Sequence, residues 1–213
     1  MGAFLVSKII TISSHKHEYT ADFNKSFFQK LTHELDPRAI YILDRKLVDI
    51  YHSDFRNIIQ NTRYILIEAT EENKSLDKFP NYIEQLTNLG LKRDQKLIAV
   101  GGGIIQDITC FLASTIMRGI PWEFYPTTLL AQADSCIGSK SSINSGSIKN
   151  ILGTFYPPKK IFIDVNILKT LENKDLLSGI GEMLKVHAID SPEKFNDIAD
   201  KYESLFEDNT LLE

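Results

Sequence analysis

Five short runs of continuous apolar character constrain this chain more than any other feature: "AIYILD" (39–44), "YILIEA" (64–69), "KLIAVGGG" (96–103), "PWEFYPT" (121–127) and "KKIFID" (159–164). Runs of this length without polar alternation suit strands covered on both faces. Helical patterns lie between them. In "SLDKFPNYIEQLTNLG", Leu76, Phe79, Ile83, Leu86 and Leu89 fall near helical spacing, Gly90 is placed to cap the C-terminus, and Pro80 kinks or restarts the helix. "IIQDITCFLASTIM" is apolar nearly all round and reads as a buried helix, spoiled only by Asp107. Strands alternating with crossover helices predict an α/β fold, a Rossmann-like, mostly parallel sheet with flanking helices. The one biased segment, "GSKSSINSGSIKN", reads as a Ser/Gly/Asn loop carrying two lysines.

With 213 residues, 43% of them hydrophobic, the chain can bury a real core. Its 28 acidic and 24 basic residues leave a net charge of −4, so no chain-wide field argues for nucleic acid or an anionic membrane. Any anionic partner must be held locally. Cys110 and Cys136 lack metal-type spacing and read as buried free thiols in a reducing compartment. The opening "MGAFLVSKIITISS" breaks its apolar run at Lys8 and lacks a small-residue cleavage pattern, and Val6 stands where a myristoylation signal needs Ser or Thr. No run approaches the roughly 18 apolar residues of a membrane span. A cytoplasmic protein with neither nucleic-acid nor membrane partners is expected.

Several residues carry candidate chemistry. "LIAVGGGIIQD" runs a strand through Gly101, Gly102 and Gly103 into a helix, where backbone N–H groups can approach a phosphate, although the glycines could also serve only a tight turn. Asp44 ends an earlier strand and suits either a ribose-hydroxyl acceptor or a helix N-cap. A carboxylate in an apolar helix needs a partner, and for Asp107 the nearest candidate is Arg118, eleven residues on. Asp134 and Lys140 bracket "SCIGS", and Lys149 and Asn150 close the Ser-rich loop, an arrangement that fits a phosphate cradle or a solvated loop. In "SGIGEMLKVHAI", Glu182 and Lys185 share a helix face, whereas His187 lies about 140° round from Glu182, so the three cannot all face one ion. Gly179 and Gly181 weaken that helix, which predicts close approach of another group at each.

"GGGIIQD", "MRG", "PTTLLAQADS", "GSKSSIN", "KNILGTFYPP", "LKTL" and "SGIGEMLK", with "EENKS" upstream, together resemble 3-dehydroquinate synthase and its sugar-phosphate cyclase relatives, over roughly residues 38–190. The resemblance implies an NAD-binding α/β domain (1–174), the start of an all-helical domain (175–213), and an active site with NAD and zinc, or cobalt, between them. By position, Asp44, Glu71, Lys74, the glycine loop with Asp107, Thr127, Thr128, Leu168 and Thr170 would contact NAD. Lys140 and Lys149 would serve the nucleotide and substrate region. Asn150 and Arg118 would hold the substrate phosphate, the arginine reaching across a homodimer. Asp134 and Lys185 would line the substrate and Glu182 would ligate the metal, with His187 a bystander. The implied reaction is a closed redox cycle on a phosphorylated sugar acid, 3-deoxy-arabino-heptulosonate 7-phosphate: oxidation, phosphate elimination, reduction, ring opening and aldol closure to a carbocycle, 3-dehydroquinate. In the shikimate pathway this is a lyase step towards aromatic amino acids.

Three positions depart from the family pattern. Gln106 replaces the usual glycine before the aspartate, Ser139 replaces a glycine before Lys140, and "SGSI" (145–148) stands where a His-Pro-Leu-Gly turn is usual, so another sugar phosphate is an alternative substrate. Family members also draw two zinc-ligand histidines from the helical domain, whereas the last histidine here is His187 and the sequence stops at Glu213. His15, His17, His33 and His52 fall in the N-terminal layers. The expectation is a nucleotide-binding half whose catalytic partner residues lie outside this chain. A non-catalytic NAD-binding module and a metal-dependent alcohol dehydrogenase are the other readings; the latter tends to carry Thr-Gly-Ser-Glu where this chain has "LLAQADS".

Overall fold

The computed structural model describes residues 8–23, 26–202 and 204. Val6 and residues 205–213 of the expected helical tail lie outside them. The elements run β1 (Lys8–Ile12), β2 (Tyr19–Phe23), α1 (Phe27–His33), β3 (Ile40–Asp44), α2 (Arg45–Ile50), α3 (His52–Asn61), β4 (Arg63–Ile67), α4 (Phe79–Asn88), β5 (Leu97–Gly101) and α5 (Gly103–Thr115). They continue with β6 (Trp122–Pro126), β7 (Lys140–Ser145), β8 (Ile148–Phe155), β9 (Lys160–Ile163), α6 (Asn173–Asp190) and α7 (Pro192–Lys201).

All five apolar runs form strands of one seven-stranded sheet, ordered β1-β2-β9-β6-β5-β3-β4 and parallel except for β1 at one edge. Alternate residues on each central strand enter different cores. Ile40, Ile42, Leu97 and Ala99 face a cluster built with Phe79, Tyr82 and Leu86 of α4 and Ile105, Ile108 and Leu112 of α5. Tyr41, Leu43, Ile98 and Val100 face the opposite cluster, with Leu47, Val48, Phe55 and Ile58 of α2 and α3 and Ile180 of α6. Both faces are therefore covered, which is why these strands carry no polar alternation. Pro80 starts α4 rather than bending it, and two short 3-10 turns, Glu72–Lys74 and Leu76–Lys78, precede that helix. Gly90, at φ +72, ends it, with Leu91 N–H donating to Leu86 O at 3.1 Å.

The chain passes from β3 to β4 on one side, then crosses back to place β5 on the other side of β3. Such a reversal opens a crevice beyond the carboxyl ends of the two strands. Here those ends are Asp44 and Gly101.

The Ser-rich segment is not a loop. Residues 140–155 form the antiparallel hairpin β7–β8, in which Ser145 pairs Ile148 across a two-residue Gly146-Ser147 turn with Gly146 at φ +57. Ser141 and Ile143 point inward and are buried, so the apolar alternation is concealed by a serine. Gly153 is required: a Cβ there would lie 2.0 Å from Ser141 O. The edge strand β1 and its neighbour β2 are likewise additional to the five expected. No helix among the described residues is long and apolar enough to cross a membrane.

Candidate active site

A cleft of ≈ 860 Å³ opens at the carboxyl ends of β3 and β5, bounded by Asp44, Gly102, Gly103, Thr127, Thr128 and Thr170 among others. The family resemblance implies a nucleotide contact for all six, and for Asp44 and the glycines the strand-end position argues it independently. Asp44 is the N-cap of α2, accepting from Lys46 N–H at 3.0 Å, and it also lines the cleft. Burial pushes its carboxyl above the ordinary range, against the pull of the Lys46 N–H. Gly102 caps α5, and Thr128 packs so tightly on it that a Cβ would come within 2.8 Å of Thr128 Cγ2. The helix thus presents its first N–H groups to the cleft without side-chain obstruction. At the rim, Lys46 Nζ reaches Glu172 Oε1 at 2.5 Å and Tyr51 Oη meets Thr170 Oγ1 at 2.7 Å. The Lys46 hydrogen bond leads the effects that hold the Glu172 carboxyl at about 2. Gly101 and Leu168 are buried, Leu168 in the core cluster with Val165 and Ile167.

Beside this cleft the hairpin closes a polar network over α5. Lys74 Nζ, 5% exposed as a residue, lies 3.2 Å from Asp107 Oδ2, 2.9 Å from Asn150 Oδ1 and 3.5 Å from Glu71 Oε1. Lys74, not Arg118, is therefore the partner of Asp107. Arg118 lies exposed at φ +67 past the end of α5, where the chain has left helical geometry. Sequence proximity favoured the arginine; the fold instead brings in a lysine from 33 residues upstream. Ser142 donates to Asp107 through its N–H (2.9 Å) and hydroxyl (3.3 Å). Burial still dominates and raises the Asp107 carboxyl, with Ser142 and Lys74 opposing. Asn144 Nδ2 donates to Glu71 Oε2 at 3.0 Å, and this bond leads the effects that lower the Glu71 carboxyl. Asn150, at φ +54, is fixed by its own N–H donating to Asn144 Oδ1 at 2.9 Å. Ser142 and Asn144 had no assigned role in the sequence, and "SKSSIN", polar at every position but Ile143, offers no alternation that would single them out. Lys140 and Lys149 lie exposed on the two hairpin strands.

Asp134 and Glu182 share a smaller cavity of ≈ 140 Å³ with His187 and Gln132. Asp134 belongs to a wide π-helical turn, Ala131–Ser135. Gly179 admits Leu129, which a Cβ would approach to 2.6 Å, so the expected close contact is present; Gly181 has open space instead. Lys185 pairs with Glu182, and His187 Nδ1 lies 2.7 Å from Met183 O. No group of three His, Cys, Asp or Glu among the described residues could hold a metal ion. Both cysteines are buried and free.

A doubly wound α/β sheet with a glycine-rich strand-to-helix turn and a cleft at its switch point defines the general class, a nucleotide-site fold. The family follows from comparison with known proteins. Residues 64–178 match the model of the 3-dehydroquinate synthase N-terminal domain, and the chain belongs to that family. The 3-dehydroquinate synthase of Thermoanaerobacter pseudethanolicus is 35% identical over 185 residues, 83% of this chain and 52% of that protein. The chain spans about half the length of the curated relatives it matches. A solved 2-deoxy-scyllo-inosose synthase, complexed with carbaglucose-6-phosphate, NAD+ and Co2+, is 27% identical with a TM-score of 0.72, covering 84% of this chain and 52% of that one. A 2-epi-5-epi-valiolone synthase from Streptomyces hygroscopicus subsp. jinggangensis, with NAD+ and Zn2+ bound, gives 28% identity and a TM-score of 0.73, covering 83% and 51%.

Proposed function

We propose that the chain is the NAD-binding part of a sugar-phosphate cyclase of the 3-dehydroquinate synthase type, a phosphorus-oxygen lyase acting on 3-deoxy-arabino-heptulosonate 7-phosphate. Residues 1–174 would form the NAD domain and 175–213 the start of a helical domain. The observation that carries the reading is the convergence of Asp44, the α5 N-terminus and three threonines on one cleft of dinucleotide size. The donor set suits the cofactor: an acceptor-only carboxylate for ribose hydroxyls, free helix N–H groups for a pyrophosphate, and hydroxyls from Thr127, Thr128 and Thr170. When bound, NAD supplies a hydride acceptor that is regenerated within the cycle.

The chain's own residues bind and orient. Lys74 pairs with both Asp107 and Glu71 beside the glycine loop and ties the hairpin network to α5. Asn150, locked in a left-handed conformation, and the exposed Lys140 and Lys149 would receive the substrate phosphate, with Arg118 reaching it from a second copy in a homodimer. Asp134 and Lys185 would line the substrate, and Glu182 would give one carboxylate to a divalent ion. The described residues do not complete a metal site: the Glu182 carboxylate is paired with Lys185, and Asp134 and His187, which line the same cavity, do not gather with it into a donor set. A metal would need donors beyond them.

A cyclase acting on another sugar phosphate is the second reading, favoured by Gln106 and the Gly146-Ser147 turn, which alter the surroundings of Asp107 and the hairpin tip. Phosphate release distinguishes the readings. The 213-residue chain should bind NAD+ and release no phosphate alone; joined to the C-terminal half of the Thermoanaerobacter pseudethanolicus enzyme, it should release phosphate from the heptulosonate without net NADH. Release from a different sugar phosphate only would select the second reading. Stoichiometric NADH from a simple alcohol would replace both with a dehydrogenase.

A further inference from the structure

Gln106 occupies the position where the family pattern has glycine, and the structure gives its side chain two bonds to one residue. It is 4% exposed, one residue before Asp107 on α5. Its Nε2 donates to Ser135 O at 2.5 Å, and Ser135 Oγ donates back to its Oε1 at 2.7 Å. Ser135 closes the π-helical turn, where helix-end carbonyls lose their intrahelical donors. A buried amide is costly unless donor and acceptor are both matched, and an apolar side chain would fill the same volume without that cost. Here both are matched by a single residue. The other end of the turn is tied by Gln132, whose Nε2 donates to Pro126 O and Asp164 O, each at 3.0 Å. Asp134 lies between the two tethers.

We propose that Gln106 is a positioning residue: its amide ring with Ser135 fixes the turn that carries Asp134 against the cofactor helix, and so sets where a substrate can sit relative to the nucleotide. A glycine at 106 could make neither bond. The inference rests on the reading that Asp134 faces the substrate, but its first test does not.

Gln106→Met keeps the shape and removes both bonds. Backbone amide exchange at Cys136 and Ile137, whose N–H groups donate to Ala131 O (3.0 Å) and Asp134 O (3.1 Å), should accelerate by about tenfold or more while α5 amides keep wild-type rates. Unchanged exchange at Cys136 and Ile137, or equal acceleration throughout α5, would overturn the proposal, since the side chain would then be filler or a general stabiliser. Ser135→Ala, which keeps the carbonyl bond, should give a smaller local acceleration and carries the same test if the methionine variant does not fold. In the protein joined to a catalytic half, Gln106→Met should lower kcat for the sugar phosphate by about tenfold or more, with the KM for NAD+ within about twofold of wild type. A rise in the NAD+ KM at unchanged kcat would also overturn it. Failure of the wild-type chain to bind NAD+ would defeat the functional reading, whereas the exchange measurement would still decide this one.

Discussion

Replacing the three glycines of the β5–α5 turn by alanine, one at a time, should give three different results. None of the three has a positive φ, so only space decides. A Cβ on Gly101 would lie 2.5 Å from Ile105 Cγ1 and 2.7 Å from Ile105 Cβ, atoms of a fully buried side chain that cannot withdraw. On Gly102 it would lie 2.8 Å from Thr128 Cγ2. Thr128 could rotate away, but its Oγ1 accepts from Ala131 N–H at 3.3 Å, so rotation sacrifices that bond. On Gly103 the nearest atom is Ser135 Oγ at 3.8 Å, an ordinary contact. Overpacking typically costs about 1–3 kcal/mol, which places Gly101→Ala at or above the upper end and Gly102→Ala in the middle. Gly103→Ala should be neutral or gain up to about 1 kcal/mol from helix propensity. At about 2–4 °C per kcal/mol for a chain of this size, thermal unfolding by circular dichroism separates the cases. A Gly103→Ala variant as destabilised as Gly101→Ala would refute the packing argument. The new methyl at the α5 N-terminus should still weaken NAD+ binding, so stability and affinity part company at this one position.

Lys74→Met leaves Asp107 buried without its cation, a loss of about 3–5 kcal/mol. Because burial raises the Asp107 carboxyl above its unfolded value, the penalty belongs to the charged form and should shrink as pH falls; urea titrations at pH 8 and pH 5 check this, and a pH-independent deficit would contradict it. Glu71 behaves oppositely. Its carboxyl is lowered, chiefly by Asn144, so its contribution is present above the ordinary carboxylate range and lost as pH drops through the folded value. The stability gap between wild type and Glu71→Gln should therefore narrow on acidification. Burial pushes the Cys110 thiol up to about 11 and Cys136 to about 12, so neither should react with a thiol-specific disulfide reagent in the native state at pH 8, and both should react in denaturant.

Strands β3, β4, β5, β6 and β9 were legible because a strand covered on both faces needs an unbroken apolar run, and such runs survive inspection of one sequence. β1 and β2, at one end of the sheet, carry no such run. β1 is mostly exposed, and β2 carries Asp22, whose pairing with Lys30 at 3.2 Å exists only once α1 folds back. The hairpin was concealed for a related reason: it buries Ser141 and Asn144, polar groups satisfied by the cross-strand Thr154 and by the distant Glu71. Its Gly-Ser turn was the available clue. Within the site, residues next to a strand end were found, since position along the chain fixes them; Asp44 and the glycines are of this kind. The Lys74–Asp107 pair was not, because its geometry depends on where two non-adjacent segments meet.

The central claim is that the crevice at the β3–β5 switch point holds NAD. Isothermal titration of the 213-residue chain with NAD+ tests it most directly, with Asp44→Asn as the paired variant, because asparagine preserves the cap of α2 while removing the charged acceptor. The account predicts saturable one-site binding, weakened by about tenfold in the variant, in line with the loss of charge-assisted hydrogen bonds. A folded chain that takes up no NAD+, or binds it equally well with asparagine at position 44, would contradict it.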